Sequence, residues 1–125
     1  MSAERTAEPV DEILLTLPAL ASYSRVARLA VAGIGSRLQF DYDDIEDLRI
    51  AVGEIYGLLG DDPACRITVR CLLDTESLTV EASREPAGAP LEVPDLTRRI
   101  LEGVVDAVTI DADHGLISVR KDRQP

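Results

Sequence analysis

Apolar residues recur along this chain in two periods, and the switches between them mark out eight elements. Ile13 to Leu17, ended by Pro18, reads as a strand. From Ala21 to Leu38 the positions Tyr23, Val26, Leu29, Ala30, Gly33, Ile34 and Leu38 trace a helical stripe, with Ser22 as N-cap and Arg25, Arg28 and Arg37 projecting from the other sides. A second helix is drawn more strongly, because Ile45, Leu48, Val52, Ile55, Tyr56 and Leu59 fall on one stripe. Asp43 followed by Glu46 has the spacing of a capping box, and Asp44, Glu46 and Asp47 set negative charge on the positive end of the helix dipole. That helix is expected to start near Asp43 and to end at Gly57 and Gly60, ahead of Asp61, Asp62 and Pro63.

The period then changes to two. Ile67, Val69 and Cys71 alternate with Thr68 and Arg70, and Leu78, Val80 and Ala82 alternate with Thr79 and Glu81, which predicts an antiparallel hairpin turning at Asp74-Thr75-Glu76. Ser83 to Pro94 contains Pro86, Gly88, Pro90 and Pro94 and reads as loop. A third helix follows from an Asp95 N-cap through Leu96, Ile100, Leu101 and Val104, and a closing hairpin runs from Ala107 to Arg120 around the turn Asp111 to Gly115. The order β-α-α-β-β-α-β-β implies an α+β fold, a two-layer α/β sandwich with one mixed sheet and three helices on one face. One domain over residues 11–121 is expected, with a disordered N-terminal tail at 1–10 and a C-terminal tail at 122–125.

Composition changes the picture in two respects. With one Phe, three Tyr and no Trp, the core must be built from Leu, Ile, Val and Ala. With 23 acidic against 13 basic residues and a formal net charge of -10, the surface would repel a phosphate backbone, so direct nucleic-acid binding is not expected and a basic protein partner is favoured. No run of 18 apolar residues and no basic-then-apolar N-terminus is present, so neither a membrane span nor a signal peptide is expected. Cys65 and Cys71 read as reduced thiols of a cytoplasmic protein, and without companions they make no metal site. Tyr23, Tyr42 and Tyr56 are expected to pack helices, and His114 to be an exposed turn residue. A triad of Ser83, His114 and Asp95 is set aside, because no nucleophile-elbow glycine pattern surrounds any serine.

From Asp11 to about Asp62 the chain resembles the anti-sigma-factor serine kinases, small members of the histidine-kinase-like ATPase superfamily with the GHKL fold. The likeness rests on the strand before Pro18, the first helix ending in GIGSRL, and the run DYDDIEDLRIAVGE. Beyond it only the order of elements agrees. In that family the second helix carries a Glu that acts as general base and, four residues on, an Asn that holds Mg2+; aligned through IAVGE these positions are Glu54 and Leu58. Leucine offers no oxygen to a cation that demands oxygen ligands. The family's Asp-x-Gly-x-Gly motif, whose Asp accepts a hydrogen bond from adenine, is replaced after LTVEAS by Arg84-Glu85-Pro86-Ala87-Gly88. A guanidinium is donor-only, and proline stiffens what glycine left free. The phosphate-cradling lid becomes Glu92-Val93-Pro94-Asp95-Leu96-Thr97, without a glycine.

The resemblance therefore implies a non-catalytic regulator, a pseudokinase that has lost ATP and Mg2+, with Glu54 a relic and with Leu58, Arg84 and Pro86 marking the degenerate nucleotide site. It implies a sigma factor, an anti-sigma antagonist or both as partner, and a homodimer. Arg28 is the first expected contact, as the counterpart of a docking arginine in the family's first helix, and Arg25 the second. Two other readings stand beside this one: an active ATP-dependent kinase with diverged motifs, and a structural domain that associates only with itself.

Overall fold

A computed structural model describes residues 11–124, so the expected tail at 1–10 lies outside the described residues. Strand β1 spans Asp11–Pro18, helix α1 Ser24–Arg37, α2 Tyr42–Leu59, β2 Arg66–Leu73, β3 Ser77–Glu85, α3 Asp95–Val104, β4 Ala107–Asp111 and β5 Leu116–Asp122. Short 3-10 turns at Ala21–Tyr23 and Ala112–His114 precede α1 and β5. All eight expected elements are present in the expected order. β3 runs on through Ser83, Arg84 and Glu85, which the breakers downstream had assigned to loop, because each still has a partner on β2. β5 likewise reaches Asp122, one residue past the expected domain end.

The sheet order is β1-β2-β3-β5-β4 and every pairing is antiparallel, so the α+β two-layer class holds while the expected mixed sheet is corrected. The reason lies in the connections. α1 leads the chain away from the end of β1 and α2 brings it back, as the Tyr56 hydroxyl donating to the Pro18 carbonyl at 2.5 Å records, so β2 starts beside the end of β1. α3 would make β3 and β4 parallel neighbours, but β5 inserts between them and pairs with both.

Alternate residues of β2, β3 and β5 enter the core from one face of the sheet: Ile67, Val69, Cys71 and Leu73; Leu78, Val80 and Ala82; Ile117 and Val119. Leu48, Ala51, Val52, Ile55, Tyr56 and Leu59 of α2 meet them, so the stripe read from its period is the buried one, with Ile45 partly buried at its edge. For α1 the stripe is corrected. Ile34 and Leu38 of the expected stripe pack against the core, but the buried residues are Ala27, Val31 and Gly35, whereas Tyr23, Val26 and Leu29 are exposed. A helix carrying apolar residues on two faces satisfies the period either way; the small-residue face wins because it lets α1 approach α2 closely. Side-chain atoms of Ile45, Leu48 and Phe40 stand 3.4, 3.4 and 3.8 Å from where a Cβ on Gly35 would lie.

The caps also differ from expectation. The 3-10 turn at Ala21–Tyr23 displaces Ser22 from the N-cap of α1, where Tyr23 stands without a side-chain cap. Asp95 is the first residue of α3, after Pro94. In α2 the cap is Asp41, whose Oδ1 accepts from the Asp44 amide at 2.8 Å, not Asp43. Starting there buries Phe40, immediately before the cap, and turns Asp44 inward.

Asp44 turns inward to meet Lys121, the only lysine in the sequence. The Lys121 Nζ donates to Asp47 Oδ2 at 3.0 Å and to the Val104 carbonyl at 2.9 Å, and lies 3.5 Å from Asp44 Oδ1. It ties the start of α2, the end of α3 and the end of β5 together. Burial raises the Asp44 carboxyl above its usual range, with Asp41 adding to the effect and Lys121 opposing it. On the open face of the sheet Arg70 links Glu12 of β1 to Glu81 of β3.

Two outcomes test this account. Leu48→Ala, at a fully buried position, should cost about 2 to 5 kcal/mol in denaturant melts, while Ile50→Ala, 44% exposed on the same helix, should stay within about 0.5 kcal/mol. Asp41→Ala should cost about 1 kcal/mol as a lost cap, and Asp43→Ala distinctly less; equal losses would return the cap to Asp43.

Candidate functional site

The residues singled out from the family motif lie on two elements that finish at the same end of the sheet. Tyr56, near the end of α2, bonds to Pro18; Pro18 pairs with Arg66, and Arg66 pairs with Glu85 at the end of β3. Leu58, two residues beyond Tyr56, and Arg84 and Pro86, on either side of Glu85, are thus brought to one edge of the molecule. Glu54 is one turn of α2 back from Leu58.

At that edge Leu58 is partly buried and packs against the hydrophobic core. Glu54 is half-buried, and among the described residues no hydrogen bond or ion pair reaches its carboxylate. Arg84 turns onto its own loop. Its Nε donates to the Ala87 carbonyl at 3.1 Å, and its Nη2 donates to the same oxygen and to the Ala89 carbonyl at 3.2 Å. Gly88 takes φ +69 between those two carbonyls, and a Cβ there would stand 3.3 Å from Arg84 Nη2.

Three further attachments hold this loop. The Leu91 amide donates to the Ala112 carbonyl at 2.9 Å while its side chain packs against the core. Gly115, at φ +62, lies against Ala87: the Ala87 backbone and Cβ would be 3.7 Å from a Cβ at Gly115. The Cys65 thiol approaches the Pro86 carbonyl at 3.8 Å. Leu91 had no signal in the sequence, where it stood as one apolar residue in a loop of prolines.

Cys65 and Cys71 are both free and buried. Burial pushes the Cys71 thiol up to about 11, away from reactivity. Burial also raises Cys65, with Asp62 adding to it. Among the described residues no three His, Cys, Asp or Glu side chains converge as metal ligands.

His114 is exposed in its turn, with Nδ1 2.9 Å from Asp111 Oδ2, and that partner raises its pKa. It makes no hydrogen bond to Ser83 or Asp95. Of the three tyrosines expected to pack helices only Tyr56 is buried; Tyr42, which opens α2, and Tyr23, in the turn before α1, are exposed. A cleft of about 490 Å³ is lined by Asp74 to Ser77, Arg120, Asp122 and Arg123, at the opposite end of β3 from Arg84.

On α1, Arg25 is exposed as expected. Arg28 is not simply a solvated side chain: it is half-buried, its Cδ lies 3.6 Å from where a Cβ of Gly53 would be, and its Nε is buried without a partner among the described residues. The absence of a side chain at Gly53 on α2 makes room for the arginine stem. The Lys121 cluster was also missed, although the alternation of Ile117, Val119 and Lys121 along β5 was the available sign that this lysine points inward.

No protein-family model matches the sequence. The serine-protein kinase RsbW of Listeria monocytogenes serotype 4a (strain HCC23) is 39% identical over 88 residues, which cover 66% of this chain and 55% of the relative. RsbW of Bacillus thuringiensis (strain Al Hakam) is 45% identical over 47 residues, covering 38% of this chain and 29% of the relative. The chain therefore spans about half the length, or less, of these relatives. Among solved structures, the RsbU and RsbW domains of Rv1364c from Mycobacterium tuberculosis match with a TM-score of 0.67 and 16% identity, over 92% of this chain and 33% of that one, a likeness of fold. No described helix is long and apolar enough to cross a membrane. In sequence the chain is similar to the RsbW serine-protein kinases, and its fold is like that of the structure of the RsbU and RsbW domains.

Proposed function

We propose that this protein is an anti-sigma-factor-like regulator that controls transcription initiation by protein contacts, without kinase chemistry. The observation that carries the reading is Leu58: where the family places its metal-ligating Asn, an apolar side chain packs against the core. Mg2+ needs several oxygens in near-octahedral array, and leucine supplies none. Arg84 supports the same conclusion, because it stands where an acceptor for adenine is required, has donors only, and spends them on Ala87 and Ala89. The residues at this edge do not fit Mg·ATP.

What remains is a surface. The partner is a sigma factor, an anti-sigma antagonist or both, and the net charge of -10 suits the basic faces of a sigma factor. Arg28 is the first contact, since a guanidinium whose buried Nε lacks a partner gains most from an incoming carboxylate, and Arg25 beside it is the second. The protein works in the cytoplasm and as a homodimer, by analogy with the family. The rival reading, an active kinase, is favoured by the name serine-protein kinase that the relatives carry.

Nucleotide titration separates the two. Mg·ATP at up to millimolar concentration should leave the melting temperature unchanged, whereas a true binder at about 100 times its dissociation constant gains about 2.7 kcal/mol. A Mg2+-dependent rise would restore Glu54 to catalysis and overturn the non-catalytic reading. For the partner surface, Arg28→Met keeps the stem over Gly53 and removes the guanidinium. Against a partner identified by co-purification, it should weaken binding about thirtyfold, a loss of about 2 kcal/mol, with the fold retained. Unchanged affinity would take α1 out of the interface.

A further inference from the structure

We infer that the loop between β3 and α3 is held in place by the chain itself, with Arg84 as its internal ligand, so that the ordering of this loop requires no nucleotide. The regulatory consequence rests on the reading that ATP binding is lost; the clamp is tested separately.

The segment from Pro86 to Pro94 holds three prolines and one glycine and belongs to no helix or strand. Such a segment has no backbone ladder of its own, so whatever orders it must come from side chains or from neighbouring elements. Arg84 is the last inward-leaning residue before the loop, and its guanidinium closes a ring back onto the carbonyls of Ala87 and Ala89. Those carbonyls flank Gly88, whose positive φ points both toward the guanidinium. The fork geometry matters, because one planar group with fixed donors reaches two acceptors while a lysine ammonium would hold one point.

The far end of the loop is fastened by contacts that depend on the path the Arg84 clamp sets. The Leu91 amide bonds to Ala112 and its side chain joins the core, while Gly115 leaves room for Ala87 against the β4-β5 turn. Between the clamp and this anchor the chain is delivered to Asp95 at the start of α3. A loop ordered in this way presents one surface to a partner at all times, and the regulator is gated by partner concentration rather than by nucleotide state.

Hydrogen exchange on the full chain without nucleotide tests the clamp, with the Leu91 amide as reporter and the Val80 amide in β3 as internal control. In Arg84→Ala the Leu91 amide should exchange roughly tenfold faster or more, the factor expected for losing a charge-assisted hydrogen bond that holds a local opening closed, while Val80 is unchanged. Equal exchange at Leu91 in wild type and variant would overturn the clamp. So would a parallel rise at Leu91 and Val80, which marks a residue acting on global stability. If Arg84→Ala fails to fold, Arg84→Lys is read by the same ratio of Leu91 to Val80. A third arm adds Mg·ATP to the wild type: no change at Leu91 supports nucleotide-free ordering. Slowing confined to Leu91 overturns it and with it the non-catalytic reading, a result distinct from clamp failure, which appears without nucleotide.

Discussion

Everything in this fold leans on the burial of α2. One face of the helix, from Leu48 to Leu59, covers the sheet, while its flanks receive α1 and α3, so α2 is the element that both helical neighbours and the strands have in common. Burying a large aliphatic or aromatic side chain is worth about 1.5 to 3 kcal/mol, and this one stripe contributes Leu48, Val52, Ile55, Tyr56 and Leu59. Close approach matters as much as area. Gly35 lets α1 descend onto Phe40, Ile45 and Leu48, and Gly53 leaves a channel for the stem of Arg28. Val26 and Leu29 of α1 are displaced outward by the same geometry.

A second constraint acts at the start of α2, where one lysine serves two carboxylates and a helix-end carbonyl. Removing these charges from water is costly, so the cluster is better understood as fixing arrangement than as adding stability. With Lys121 in place, the end of α3, the start of α2 and the end of β5 have one mutual position. Among the described residues the opposite end of α2 has no such ion-pair cluster. There Leu58, Leu91 and the Arg84 ring close the edge with apolar packing and internal hydrogen bonds.

The site was legible where chemistry depends on residue type alone. That leucine cannot bind a cation and that a guanidinium cannot accept a hydrogen bond are statements about side chains, true in any fold. How Arg84 spends its donors, and that Arg28 is half-buried rather than solvated, depend on which backbone lies opposite, and no pattern along the chain encodes that. Leu91 shows the limit most plainly, because a single apolar residue among prolines has no period from which its burial follows.

For the fold, the sequence by itself determined the eight elements, their order and the α2 stripe, because each depends on periods of two or 3.6 residues and on breakers that act within a few positions. It also determined the hairpin turns, where Asp74 and Asp111 cap their own loops through their side chains. Only the tertiary structure decided that the sheet is antiparallel throughout, since strand neighbours depend on where β5 is inserted. It decided that Asp41 rather than Asp43 caps α2, a choice between adjacent acids that local spacing leaves open and that burial of Phe40 and the reach of Asp44 to Lys121 resolve. And it decided which face of α1 is inside, because two faces of that helix satisfy the same period and only the depth of the groove on α2 distinguishes small residues from large.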